Sequence, residues 1–202
     1  MDDIVLRGMA KWPNVPAVYG WLALNRRGQW LIKGESVGNP AVSTFIARNY
    51  ERDSAGRWFF QNGPQRVFVK LDYTPFVYRV ISGHAAALAI EAHTGVQPAS
   101  LSGAWIDEEG SLLLQTEHGF GLVHDQGLDT LVQALAGANG ASLTESALDA
   151  ILERLQDGRE APLWLRFGAS NVQVEPLRST DAPRRFGFDP SPAAPEGHPD
   201  CA

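Results

Sequence analysis

Along this chain of 202 residues, apolar and polar positions alternate in two blocks that read alike. In the first, the apolar run Tyr19–Leu24 is broken by Asn25-Arg-Arg-Gly28 and resumes at Trp30-Leu-Ile. In the second, Gly103-Ala-Trp105-Ile is broken by Asp107-Glu-Glu-Gly110 and resumes at Ser111-Leu-Leu-Leu. Each is predicted to be a hairpin. An Asn or Asp opening the turn can accept from the following backbone N–H groups, and a Gly three residues later supplies a positive φ at the exit. Further on, Trp58–Val69, broken at Gly63, parallels Leu163–Val174, broken at Gly168. Both end in alternating Val positions that mark a half-buried strand.

Between these strand pairs the period changes to that of a helix. Val42, Phe45, Ile46 and Tyr50 share one face after Pro40, which suits a first helical turn. In the second block, Ser142-Leu-Thr-Glu145 has the form of a capping box ahead of Leu148, Ile151, Leu152 and Leu155. Asp53-Ser-Ala-Gly56 and Asp157-Gly158 turn the chain back into strands. The second block also inserts a strand within Thr116–Asp125 and a short helix over Leu128–Leu135 that stops at Gly137.

The expected fold class is therefore α+β: two related units, each of antiparallel β-hairpins packed with one or two helices. The expected division is a lead-in over 1–17, a first unit over 18–82, and a second over 83–180 with the extra strand and helix. A disordered tail over 181–202 follows, where five prolines stand among Asp, Ala, Gly and Ser.

Three runs carry a family likeness: Arg27-Gly-Gln-Trp30-Leu-Ile-Lys-Gly34-Glu-Ser-Val37-Gly38-Asn-Pro40, Asp53-Ser-Ala-Gly56-Arg-Trp58, and Val67-Phe-Val69-Lys-Leu-Asp72-Tyr-Thr-Pro75-Phe76. Together they resemble the signature of uncharacterised proteobacterial families known only as domains of unknown function. The resemblance is strongest over 18–82 and traceable through Thr94-Gly95, Leu128–Leu135 and Leu163–Val174. It implies a two-part α+β protein with repeated motifs and a role in signal transduction. It brings no agreed catalytic residues to transfer.

Charge sharpens the two-block picture. Residues 1–82 carry 11 Lys and Arg against 6 Asp and Glu, whereas residues 83–182 carry 4 against 14, within a net charge of −6. Such polarity suits halves that attract each other or a dipolar molecule that docks a charged partner. The start Met1-Asp-Asp-Ile lacks the basic, then apolar, pattern of a secretory signal, and no run approaches a membrane span. The single cysteine, Cys201, allows no internal disulfide. A cytoplasmic location and no membrane partner are expected.

Candidate chemistry is sparse. Gly34-Glu-Ser36-Val-Gly38 fits the G-x-S-x-G pattern of a nucleophile elbow, but Asn39-Pro40 delays the helix and the strands read as hairpins. The two glycines are better read as a tight strand-to-helix connection. His118 and His124 flank Gly119-Phe-Gly, with Glu117 and Asp125 beside them, and would bind zinc or iron if they converged. His84, His93 and His198 have no recognisable partner. No phosphate-binding glycine loop is present. The basic and aromatic residues of the first unit (Trp21, Trp30, Arg26, Arg27, Lys70) are outweighed by an acidic second unit that repels a phosphate backbone, so nucleic acid is disfavoured.

The preferred binding site lies on the paired turns. Gln61, Asn62, Gln65 and Arg66 decorate one, and Arg166, Ser170 and Asn171 take matching places on the other, where a cleft shared by the units would admit a ligand. The leading expectation is a non-enzymatic cytoplasmic module that binds a small molecule or a protein, with no cofactor and a regulatory or signalling role. The alternative is a hydrolase using Ser36 or a metal-dependent enzyme using His118 and His124.

Overall fold

The computed structural model describes residues 1–12, 15–82, 88–168 and 170–197. Its most regular local feature is one turn made three times. At Asn25, Asp53 and Asp107 the side-chain Oδ1 accepts from the backbone N–H groups two and four residues on, at 2.7–3.0 Å. The amide of the glycine three residues on (Gly28, Gly56, Gly110) donates back to the Asx carbonyl at 3.0–3.1 Å. Each of these glycines has φ between 74° and 82°, where a side chain would be strained.

Met1–Pro75, with the described residues from Gly187 on, form the first unit. Its elements are α1 (Asp3–Lys11), β1 (Val18–Leu24), β2 (Trp30–Ile32), β3 (Glu35–Ser36), α2 (Pro40–Arg48), β4 (Tyr50–Arg52), β5 (Trp58–Asn62) and β6 (Gln65–Leu71). The strands form one sheet in the order β3-β2-β1-β6-β5-β4. All neighbours are antiparallel except β1 and β6, which run parallel with Leu22 opposite Val69 and Leu24 opposite Leu71. Helix α2 begins as its sequence predicts: Pro40 stands in the first turn and Asn39 Oδ1 accepts the Ala41 N–H at 2.9 Å. Its Ile46 is buried and its Phe45 meets Phe60 edge-on at 5.5 Å. Tyr50 lies between Trp30 and Trp58, 5.1 and 4.8 Å from their ring centroids.

Phe76–Phe186 form the second unit. They comprise β7 (Phe76–Ser82), β8 (Ala89–Ala92), β9 (Leu101–Ile106), β10 (Leu112–Thr116), β11 (Phe120–Val123), α3 (Leu128–Val132), β12 (Leu135–Ala136), α4 (Glu145–Gln156), β13 (Trp164–Phe167), β14 (Ser170–Pro176) and α5 (Ala182–Phe186). The sheet order is β12-β13-β14-β9-β10-β11-β7-β8. Within it, β10-β9-β14-β13-β12 follows the same plan as β2-β1-β6-β5-β4. It includes the central parallel pair, here with Ala104 opposite Val174. The fold is thus mixed α+β, with two sheets and five α-helices among the described residues.

Several expectations need correction. The division falls at Pro75 and Phe76, not at 82 and 83, because β7 pairs with β11 in the second sheet. The hairpins are not joined only antiparallel, since β1–β6 and β9–β14 are parallel. Helix α3, between β11 and β12, holds the place that α2 holds between β3 and β4, so α4 is the addition. The cap of α4 is Thr144, whose Oγ1 accepts the Ala147 N–H at 3.3 Å, rather than Ser142.

The expected lead-in contains α1. The expected tail is structured where aromatic residues interrupt its prolines. In the second unit, Phe186 of α5 stacks on Phe120 with centroids 3.7 Å apart. In the first, Phe188 is buried and the Asp189 N–H donates to the Gly56 carbonyl at 3.0 Å. No helix among the described residues is long and apolar enough to cross a membrane.

Candidate functional site

Successive side chains of a strand point to opposite faces, and directly opposed cross-strand partners share a face. In the β5–β6 hairpin Gln61 stands opposite Arg66 and Asn62 opposite Gln65. The four expected binding residues of this turn therefore divide into two pairs, and each pair lines a different cavity.

Asn62 and Gln65 line the larger, of about 530 Å³. Val42, Phe45 and Ile46 of α2 form one wall, and Leu22, Ile32, Phe60 and Val67 of the sheet form the other. Pairing of β1 with β6 shifts register between Val18 and Leu22, and the adjacent Trp21 and Leu22 both reach the cavity. Ile32 and Val42, 42% and 40% exposed, are large apolar side chains left open to solvent here. Among the described residues, the lining includes no Asp, Glu, Lys or Arg. Against one of the cavity's walls stands Lys33, whose Nζ lies 3.9 Å from the centroid of the Trp21 ring, a cation–π contact.

Gln61 and Arg66 line a smaller cavity of about 430 Å³ with Met9, Trp12 and Pro64. Gln61 is only 1% exposed, although a glutamine beside a glycine turn reads as a solvated residue. Its Nε2 donates to the Gly63 carbonyl at 2.9 Å, and its buried Oε1 has no hydrogen-bond partner among the described residues. The Arg66 guanidinium rests over the Phe59 ring at 4.6 Å.

On the second hairpin, Arg166 stands opposite Asn171 and Ser170 opposite Phe167. Arg166 and Asn171 thus hold the places of Gln61 and Arg66, and both are exposed.

Ser36 lies on β3, exposed, opposite Leu31. Lys33 and Gly34, with φ of 49° and 87°, close the β2–β3 hairpin just before it. Gly34 is therefore a hairpin residue, not half of a strand-to-helix connection, and Ser36 lacks the strand-to-helix turn that an elbow requires.

The histidines do not converge. His118 precedes β11 and His124 follows it, so a strand about 13 Å long at the usual rise separates them. His118 Nε2 is 3.8 Å from Glu117 Oε1, and His124 Nδ1 is 2.9 Å from Asp125 Oδ1. Glu117 is committed elsewhere: it accepts the Ala99 and Ser100 N–H groups at 2.6 and 3.2 Å, and these bonds, Ala99's foremost, hold its carboxyl down at about 2. Among the described residues, no group of three or more His, Cys, Asp or Glu side chains is placed to hold a metal ion. His84, His198 and Cys201 lie outside the described residues.

Comparison with known proteins bears on the family and the fold. The DUF2944 family model, described as "Protein of unknown function (DUF2946)", matches residues 1–193. The crystal structure of a DUF1285 family protein from Silicibacter pomeroyi DSS-3 superposes with a TM-score of 0.53 at 14% identity, over 88% of this chain and 97% of its own. At that identity the likeness is one of fold. A DUF1285 family protein from Shewanella baltica OS155 aligns over 55% of this chain and 90% of its own, at 16% identity and a TM-score of 0.41. No curated protein matches.

Proposed function

This chain belongs to the DUF2944 family of proteins of unknown function, and from that premise we propose that it is a cytoplasmic ligand-binding module with a regulatory role. The cavity between α2 and the first sheet carries the reading. Its volume of about 530 Å³ falls in the range of small-molecule sites, which are mostly apolar with a few polar groups that orient the ligand. Asn62 and Gln65 are such groups. A carboxamide can donate or accept but does not titrate near neutral pH, so it suits recognition better than proton transfer.

The matched strand plans support reading the chain as an internal repeat in which the first copy keeps the ligand site. Binding without chemistry is how a sensor works, and that is the ground for the signalling role. The cytoplasmic placement rests on the sparse use of cysteine, one residue in the chain, which suits a reducing compartment.

The test uses Nile red, a neutral apolar dye, on the whole chain. Wild-type protein is expected to raise its fluorescence, and Val42→Trp, which puts an indole into the cavity mouth, is expected to abolish the rise. Equal fluorescence with both proteins would remove the cavity as the ligand site.

A further inference from the structure

We infer that this cavity selects a free single-chain amphiphile with a carboxylate head: the apolar tail enters between α2 and the sheet, and Lys33 meets the head. The inference rests on the cavity being a ligand site, as proposed above, and adds the class of ligand.

Three observations converge on Lys33. First, its backbone is an outlier. A φ of 49° in a two-residue hairpin turn is the left-handed conformation, which Asn or Gly adopts at much lower cost. A lysine there stands against local preference, and strained residues of this kind cluster at ligand sites. Second, the conformation places the side chain usefully. The Lys33 N–H donates to the Trp21 carbonyl at 2.8 Å, and the ammonium lies over the ring of Trp21, a wall residue of the cavity. Third, the ammonium forms no ion pair among the described residues, and no Asp or Glu lines the cavity to compete for it.

An apolar chamber with one unneutralised cation at its edge prefers an anion at the end of an apolar body. Lysine acts as a point charge on a flexible stem, so it asks less of head-group geometry than arginine would. The exposed Ile32 and Val42 cover the first methylenes of such a tail, which would otherwise remain in water.

The experiment is calorimetric titration of the whole chain with sodium decanoate, decanol and decyltrimethylammonium at one low ionic strength. Decanoate is expected to bind about fivefold more tightly than decanol, and the cation most weakly. Added salt should shrink the gap. Lys33→Gln should abolish the difference between decanoate and decanol, chiefly by weakening decanoate. Lys33→Asn serves as the folding control: it relieves the turn, so it should raise the melting temperature and still lose the preference.

Equal binding of decanoate and decanol, both blocked in Val42→Trp, would overturn the carboxylate inference and leave the cavity reading standing. A preference that survives Lys33→Gln would also overturn it. Binding of none of the three ligands would overturn both.

Discussion

Gly56 is packed against Gly187: a Cβ built on Gly56 would lie 3.2 Å from the Gly187 carbonyl carbon and still closer to its oxygen. The contact joins the second of the three turn glycines to a stretch of chain far along the sequence. The neighbouring Arg52 guanidinium donates to the same Gly187 carbonyl. Gly56→Ala is therefore opposed twice, by a φ of 82° and by the backbone it would strike. We expect a loss of about 2–4 kcal/mol in urea denaturation, from left-handed strain plus overpacking. Proteolysis near Gly187 should quicken in the variant. A loss under about 1 kcal/mol would mean that this segment is not seated on Gly56.

The three Asx turns share bonds but not burial. Asp107 is fully buried, whereas the bonds made by Asn25 are exposed. Removing Asp107 leaves the Glu109 and Ser111 N–H groups without their acceptor in a part-buried site, while water can replace Asn25. Asp107→Ala should cost about 2–3 kcal/mol and Asn25→Ala under about 1. Asp107→Asn, which keeps a carbonyl oxygen, should retain most of the stability. Equal losses for the two alanine variants would show that burial does not set the worth of this turn.

What could be read beforehand followed the range of the forces involved. The Asx turns, the Asn39–Pro40 start of α2 and the matched hairpins at Gly63 and Gly168 depend on residues within five positions, so sequence spacing discloses them. The parallel pairs β1–β6 and β9–β14 join strands more than forty residues apart and leave no turn signature. The parallel pairing of β7 with β11, likewise between distant strands, places Phe76–Ser82 in the second sheet, so a boundary at 82 falls too late. Helix α5 was hidden because composition averages Phe186 and Phe188 into a proline-rich run. The apolar face of α2 was legible in Val42, Phe45 and Ile46, but the space beneath it depends on four strands. The burial of Gln61 likewise comes from its surroundings, not from its own segment.

That burial makes Gln61 a test of whether the second cavity is a cost to the fold. Its Oε1 is buried without a partner among the described residues, which costs on the order of 1–3 kcal/mol, against about 1 kcal/mol from the Nε2 bond to Gly63. Gln61→Met keeps the length of the side chain and removes both terms. It should leave stability unchanged or raise it by up to about 1 kcal/mol. A clear loss in chemical denaturation would show that the carboxamide is satisfied in solution, for instance by water held in the cavity.

His93 provides the pH test. Its Nδ1 accepts the Val77 N–H at 3.3 Å, its Nε2 is shut off from solvent, and burial pushes the imidazole down to about 3 from an ordinary 6.5. Between those values the unfolded chain binds a proton that the folded chain refuses. Stability is therefore fully present above about pH 6.5 and falls as pH drops toward 3, by at most about 1.4 kcal/mol per pH unit from this group. The depressed carboxylates of Asp2, Asp53, Glu91, Glu108 and Glu117 act in the same direction, but only below their ordinary values of 3.8 and 4.5. The interval from pH 6.5 to 5 thus separates His93 from all of them. Urea midpoints measured across that interval should decline in the wild type and decline less in His93→Gln, which keeps an acceptor and cannot charge. Parallel declines in the two proteins would remove His93 as the cause.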